Sequence, residues 1–209
     1  MTDAAAVRRF IERFAVLIDK HARELTELDA AIGDADHGIN MQRGIRAVLE
    51  RLPENGAAPD ALLKSVATSL ISKVGGASGP LYGTAFLRAA TAVAGKAQLE
   101  PADVGAMFAA ALGGVRERGK AERGDKTMVD AFEPAVTALQ DGVATGQPLA
   151  LALAAAKAAA QKGSDATIDI VARKGRASYL GERARGHRDP GSASTVLLFT
   201  AAAETLGTP

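Results

Sequence analysis

The 209-residue sequence contains no cysteine and no tryptophan, and aromatic residues make up only 4% of it. Without cysteine there is no disulfide framework, no cysteine–zinc site and no thiol nucleophile, a composition compatible with a reducing cytoplasm. Scarce aromatics argue against ring stacking as the main way of holding bases or sugars. Neither sign of charge prevails: the formal net charge is +1, which argues against a polyanion partner such as nucleic acid. Long apolar runs are also missing. The longest, around Leu149–Ala160, is alanine-rich and too short to span a bilayer, so no membrane association is expected. Met1-Thr2-Asp3 opens no charged-then-apolar segment, so no signal peptide is expected. No stretch alternates like a strand between turn dipeptides, which argues against a sheet.

What is present points to helices. Hydrophobic residues reach 47%, enough to bury a core, and about a fifth of the chain is alanine, the strongest helix former. Val7, Phe10, Ile11, Phe14, Leu17 and Ile18 recur at three- and four-residue steps and give one apolar face. Ile45–Leu52 continues the pattern until Pro53 stops it. Further helices are predicted over Leu62–Val74, over Leu81–Ala94 before Gly95, from Pro101 through Val115, over Met128–Leu139 with a kink at Pro134, and from Pro148 through Ala160. Ala166–Ala172 extends the last of these or stands apart. A final helix, capped by Ser192 or Ser194, runs to Glu204. Short connections favour antiparallel neighbours, so the fold class is all-α: about eight helices in one bundle or barrel spanning residues 1–209 as a single domain.

The 22 glycines are many for such a chain, and they gather in four polar interruptions. The first, Glu27 to Met41, carries Asp29, Asp34 and Asp36. Carboxylates this close repel one another unless a cation neutralises them, and oxygen-only ligands favour magnesium or calcium over zinc. The spacing fails the EF-hand pattern; the competing role for these aspartates is to cap and turn the chain at a helix boundary. The second, Gly75 to Thr84, precedes a helix and offers backbone amides to an anion, or serves as a tight turn with close helix packing at Gly79 and Gly83. It is not a Walker loop. In the third, Arg118 to Met128, Asp125 or Thr127 is an N-cap candidate, and the basic residues face a phosphate or water. The fourth, Ala172 to Ser192, is rich in arginine, whose forks match phosphate oxygens; the other reading is a charged surface loop with a turn at Asp189-Pro190-Gly191. Together the four supply what a magnesium-bound nucleotide phosphate needs. His21 has no evident partner and reads as structural. Three histidines without a serine–aspartate context give no basis for triad hydrolysis.

These segments carry a resemblance. Leu28-Asp29-Ala30-Ala31-Ile32-Gly33-Asp34-Ala35-Asp36-His37-Gly38, the stretch Gly75 to Thr84, Gly124-Asp125-Lys126-Thr127-Met128 and the stretch Lys174 to Arg183 are similar, in that order, to the L subunit of dihydroxyacetone kinases, over essentially the whole chain. The resemblance implies an eight-helix antiparallel barrel with ADP or ATP at one rim. It implies that Asp29, Asp34 and Asp36 bind two magnesium ions bridging the ADP phosphates, and that His37, Gly38, Ile39 and Asn40 line the nucleotide beside them. Ala77 and Ser78 would contact it from the second loop, Gly119 and Met128 would flank the adenosine, and Arg176 with Asp189, Pro190 and Gly191 would close over it. The family has forms in which L is fused to a substrate-binding K domain and exchanges ATP. In other forms L is separate and keeps ADP as a coenzyme, rephosphorylated by a phosphohistidine-carrying M protein of the sugar phosphotransferase system. With no K domain in the sequence, the separate form is expected. The partners are then a K subunit holding dihydroxyacetone, the M subunit and, further, a transcriptional regulator. The alternatives are an ATP-dependent L subunit for another small hydroxy-ketone or sugar acid, and a non-catalytic nucleotide-sensing module.

Overall fold

A computed structural model describes residues 1–54 and 56–207. Among them run eight α-helices: α1 (Ala4–Ile32), α2 (His37–Arg51), α3 (Pro59–Lys73), α4 (Ser78–Ala92), α5 (Pro101–Gly119), α6 (Val129–Ala144), α7 (Leu149–Ala166) and α8 (Pro190–Thr205). Each helix packs on the next, and α8 packs on α1, so the up-and-down ring closes. The core fills its middle: Phe10, Phe86, Phe108, Phe132 and Phe199 form a chain of ring contacts, with Phe108 and Phe199 stacked at 4.9 Å. No helix of the described residues is long and apolar enough to cross a membrane.

The helix ends follow local chemistry. Asp3 caps α1 by accepting the Ala6 N–H at 2.8 Å. Glu100 and Asp103 form a reciprocal capping box on α5, with Pro101 in its first turn. One cap differs from expectation. The cap of α8 is Asp189, whose carboxylate accepts the Ser192 N–H at 2.6 Å. Pro190 behind it needs no donor partner and starts the helix two residues before Ser192; Ser192 and Ser194 lie buried inside α8. At α6 Thr127 caps as expected: its Oγ1 accepts the Val129 N–H at 3.2 Å, while Asp130 reaches back from the first turn to accept the N–H groups of Thr127 (2.7 Å) and Gly124 (2.6 Å).

Other differences are of extent. α2 begins at His37, eight residues before the apolar repeat at Ile45, because its first turns are buried through Gly38, Asn40, Met41 and Gly44, which form no apolar repeat. α6 continues through Pro134. After α7 the chain makes only a short 3-10 turn over Thr167–Asp169, with a second 3-10 segment over Arg176–Ala184. One miniature sheet exists among the described residues: Thr2–Asp3 (β1) pairs antiparallel with Gln98–Leu99 (β2). Two residues per strand are too few for any alternation to show. The Thr2 hydroxyl also donates to the Leu206 carbonyl at 2.8 Å, tying the start of α1 to the end of α8.

Up-and-down topology brings every second connection to the same rim. The four polar interruptions are the α1–α2, α3–α4, α5–α6 and α7–α8 connections, so all four meet there, and the β1–β2 ladder lies at the opposite rim.

Candidate nucleotide and metal site

α1 ends where its acidic cluster begins. Asp29, on the last turn, is buried and turns its carboxylate inward: Oδ2 accepts the backbone N–H of Asp36 at 2.8 Å and of His37 at 3.1 Å. That fold-back needs Gly33, because a Cβ there would lie 2.0 Å from Asp29 Oδ1. Ala35, between the two remaining aspartates, has φ +60, a left-handed conformation costly for a residue with a side chain. The outcome is a tight loop in which Asp29, Asp34 and Asp36 each place an oxygen within 4.8 Å of the others. The donor set is all carboxylate, and much of Asp34 and Asp36 stays accessible; this suits a hard cation that keeps waters and phosphate oxygens in its shell. Arg176 lies across the mouth, its guanidinium 2.8 Å from Asp34.

The cleft above this loop has two joined compartments of about 180 and 330 Å³. Together they fall in the range of roughly 300–1,000 Å³ usual for small-molecule sites. The first is lined by the three aspartates, His37, Ala77, Ser78, Met128, Arg176 and the Asp189-Pro190-Gly191 turn. The second is more apolar and is lined by Leu81, Val115, Gly119, Ala121, Met128 and Val129. The structure thus gathers most of the residues singled out in the sequence. Gly38, Ile39 and Asn40 line neither compartment. Gly38 packs on α1, where a Cβ would lie 1.9 Å from the Ala22 carbonyl oxygen. Ile39 points to solvent, 56% exposed. Asn40 is buried and accepts from Arg43 at 2.6 Å.

Several site features escaped the sequence reading. Lys126 faces neither phosphate in solution nor bulk water: it is 1% exposed, and its ammonium donates to the carbonyls of Thr167 and of His187 (2.6 Å), stapling the fourth segment to the third. Burial lowers its pKa, opposed by the charges of Asp189, Asp169 and Asp130. The Arg173 N–H donates to the Asp125 carbonyl at 3.0 Å along the same seam. Behind the cleft, hydroxyls form a buried chain. His37 Nδ1 lies 2.8 Å from Ser78 Oγ, and its Nε2 lies 3.0 Å from Ser194 Oγ; Tyr82 Oη lies 2.8 Å from Ser194 Oγ. Burial pushes the imidazole of His37 down to about 4 and the phenol of Tyr82 up to about 12. Asp189 is pushed up to about 7, chiefly by desolvation, with the Ser192 N–H pulling the other way. Tyr82 stood inside the second motif and Ser194 was a cap candidate, yet a hydroxyl on an apolar helix gives no sign of its partners. His21 does have a partner, Glu24, at 2.8 Å.

The sequence that builds this cleft matches a known family. Residues 31–204 match the DAK2 domain. The chain belongs to the DAK2 domain family. Among its relatives in that family, the ADP-binding subunit DhaL of the PEP-dependent dihydroxyacetone kinase of Escherichia coli (strain K12) is 44% identical over 91% of each chain. The corresponding subunit of dihydroxyacetone kinase 2 of Listeria innocua is 42% identical over 98% of this chain and 95% of its own. The crystal structure of the C. freundii dihydroxyacetone kinase with AMP-PNP and Mg²⁺ superposes with a TM-score of 0.70 at 26% identity. That alignment covers 98% of this DAK2 chain and 34% of the solved one, so the chain spans about a third of that kinase.

Proposed function

We propose that this DAK2 chain is the nucleotide-holding subunit of a phosphotransferase acting on dihydroxyacetone. In this reading it binds ADP with two magnesium ions at Asp29, Asp34 and Asp36 and works in the cytoplasm. The nucleotide receives a phosphoryl group from a phosphohistidine on an M-type protein of the phosphotransferase system and passes it to dihydroxyacetone on a separate K-type subunit. The observation that carries the reading is the three-carboxylate loop facing Ser78 and Arg176 across one cleft, with an apolar compartment beside it. Magnesium would neutralise phosphate charge there, which is most of what phosphoryl transfer requires.

The chain's own part is positioning. Ala77 and Ser78, at the start of α4, offer the anion a helix N-terminus. Arg176 is free to leave Asp34 for a phosphate oxygen once a cation neutralises that aspartate, since the pair is largely exposed and weak. Gly119 and Met128 bound the compartment sized for adenosine, and the Asp189-Pro190-Gly191 turn closes the far wall. His37 supports the wall through Ser78.

The test is to denature the purified protein and identify what is released. Stoichiometric ADP, labelled by a phosphorylated phosphotransferase protein but not by free ATP, is the expected result. Rapid exchange with ATP would overturn the coenzyme form, and full activity of Asp34→Asn with its partners would overturn the metal assignment.

A further inference from the structure

The buried chain behind the cleft is specified by its hydrogen count. Ser194 Oγ has three neighbours: the Gly191 carbonyl at 3.0 Å, His37 Nε2 at 3.0 Å and Tyr82 Oη at 2.8 Å. A hydroxyl has one hydrogen and two lone pairs, so it satisfies three neighbours only by donating to one and accepting from two. The carbonyl can only accept. Ser194 therefore donates to Gly191 and accepts from both Tyr82 and His37. Thr195 Oγ1 donates to the same carbonyl at 2.9 Å and leaves the Tyr82 hydrogen for Ser194, the nearer of that phenol's two contacts. With its Nε2 donating, the neutral imidazole has a lone pair at Nδ1, and the hydrogen of Ser78 points into it at 2.8 Å. Reversing the tautomer sends the Ser194 hydrogen to His37 and leaves its bond to Gly191 unmade, one hydrogen bond fewer in a site where Ser194 and Thr195 are fully buried. Thr195 still serves that carbonyl, so the preference amounts to one buried hydrogen bond.

We infer that Ser194 is a positioning residue: through His37 it fixes the hydrogen of Ser78 away from the cleft, so that Ser78 meets the ligand with lone pairs. Ser194 touches neither compartment; it acts two hydrogen bonds away. The hydroxyl it orients lies at the first residue of α4, opposite the acidic loop. An oxygen presenting lone pairs there matches a cation or its water shell and is mismatched to a bare phosphate oxygen. The chain also joins α2, α4 and α8 at the cleft rim, so the same bonds hold three walls in register.

The consequence for phosphoryl transfer rests on the proposed kinase reading, whereas the tautomer does not, and the experiment separates them. The full-length chain, nitrogen-15 labelled at histidine and stripped of metal and nucleotide with chelator, is examined by long-range proton–nitrogen correlation. Three histidines make assignment direct, using His21→Gln and His187→Gln. The proton of His37 is expected on Nε2 in the wild type and in Tyr82→Phe, which removes a donor to Ser194 but not its acceptor site. It is expected to move to Nδ1 in Ser194→Ala and to return to Nε2 in Ser194→Thr. A wild-type proton on Nδ1, or no change in Ser194→Ala, overturns the inference. In the reconstituted system, Ser194→Ala should lower kcat about tenfold with the acceptor KM within twofold, the lower end of what losing an orienting partner costs at metal sites, and Ser194→Thr should recover it. Equal losses in both variants would mean packing alone and overturn the positioning role. If no variant, wild type included, transfers phosphate, the kinase reading fails and the nitrogen spectrum alone decides the tautomer.

Discussion

Asp29 has two jobs that substitution can pull apart. One carboxylate oxygen accepts the N–H groups of Asp36 and His37 at 2.8 and 3.1 Å, and the same carboxylate belongs to the acidic cluster. Asp29→Ala removes both acceptors. A hydrogen bond to a charged group contributes about 1.5–3 kcal/mol, but the Asp36 N–H is half-buried and can turn to water. The loop also holds Ala35 at φ +60, a strain of about 1–2 kcal/mol that relaxes once the anchor is gone. The net loss should be about 2–3 kcal/mol. Asp29→Asn keeps an amide oxygen for the two N–H groups and places an NH₂ toward Asp34 and Asp36, relieving repulsion; the loss should stay near 1 kcal/mol. Urea unfolding in chelator, where no metal contributes, should therefore rank wild type, Asn, Ala, and in a thermal scan Ala should melt about 4–12 °C below wild type for a chain this size. Magnesium-dependent nucleotide retention should fall at least 100-fold in both variants, since an amide is a poor substitute for a carboxylate at a hard cation. Equal stability of the Asn and Ala variants would refute the anchoring role. Undiminished retention in Asn would refute the ligand role.

Three further outcomes follow from the geometry. Arg176→Ala should change stability by less than about 1 kcal/mol, because its pair with Asp34 is solvent-screened, yet weaken nucleotide retention measurably by equilibrium dialysis; unchanged retention would remove Arg176 from the site. Lys126→Met should cost about 2–3 kcal/mol, as two buried carbonyls lose a charged donor, and should speed proteolysis within residues 173–188; an unchanged cleavage pattern would show that the staple is dispensable. Asp189 has a folded pKa of about 7 against about 3.9 for an unfolded aspartate. A raised carboxyl contributes stability fully below the unfolded value, and that contribution is lost as pH rises through about 7. The shift sets a ceiling near 4 kcal/mol, and about 2 kcal/mol after allowing for solvent in the cleft. Asp189→Asn, which still caps α8, should thus match wild type best at about pH 4 or below and exceed it by about 2 kcal/mol at pH 8.5 in chelator; a pH-independent difference would place the carboxyl in an ordinary environment.

The barrel was legible because apolar residues recur every three to four positions on most helices, as at Val7–Ile18 and Val104–Val115, and because turn residues break the pattern between them. The acidic loop and its opposite helix start were legible because aspartates and glycines cluster where no core needs them. What escaped were contacts made across the ring. The first turns of α2 carry His37, Asn40 and Arg43 around a single buried core residue, Met41, so periodicity missed eight residues of that helix. Lys126 sits among charged neighbours in sequence and looks solvated; only the approach of Thr167 and His187 buries it. Asp130 completes a capping box with Thr127, a Thr-x-x-Asp pattern that was legible in the sequence and went unused. The eventual meeting of alternate connections at one rim follows from topology, once the ring is known to close.

The tie between Thr2 and Leu206 has a topological consequence. Thr2 and Leu206 sit at the rim away from the cleft, and Ala4 to Asp29 spans about 38 Å of α1 at 1.5 Å per residue. A polypeptide fused at either end must run that distance back before it can touch bound ligand, at least a dozen extended residues. Shorter linkers hang their cargo on the far side and leave the mouth open to partners. Joining the two ends instead and cutting at the α6–α7 connection, around Gly146, should give a circular permutant with the same cleft.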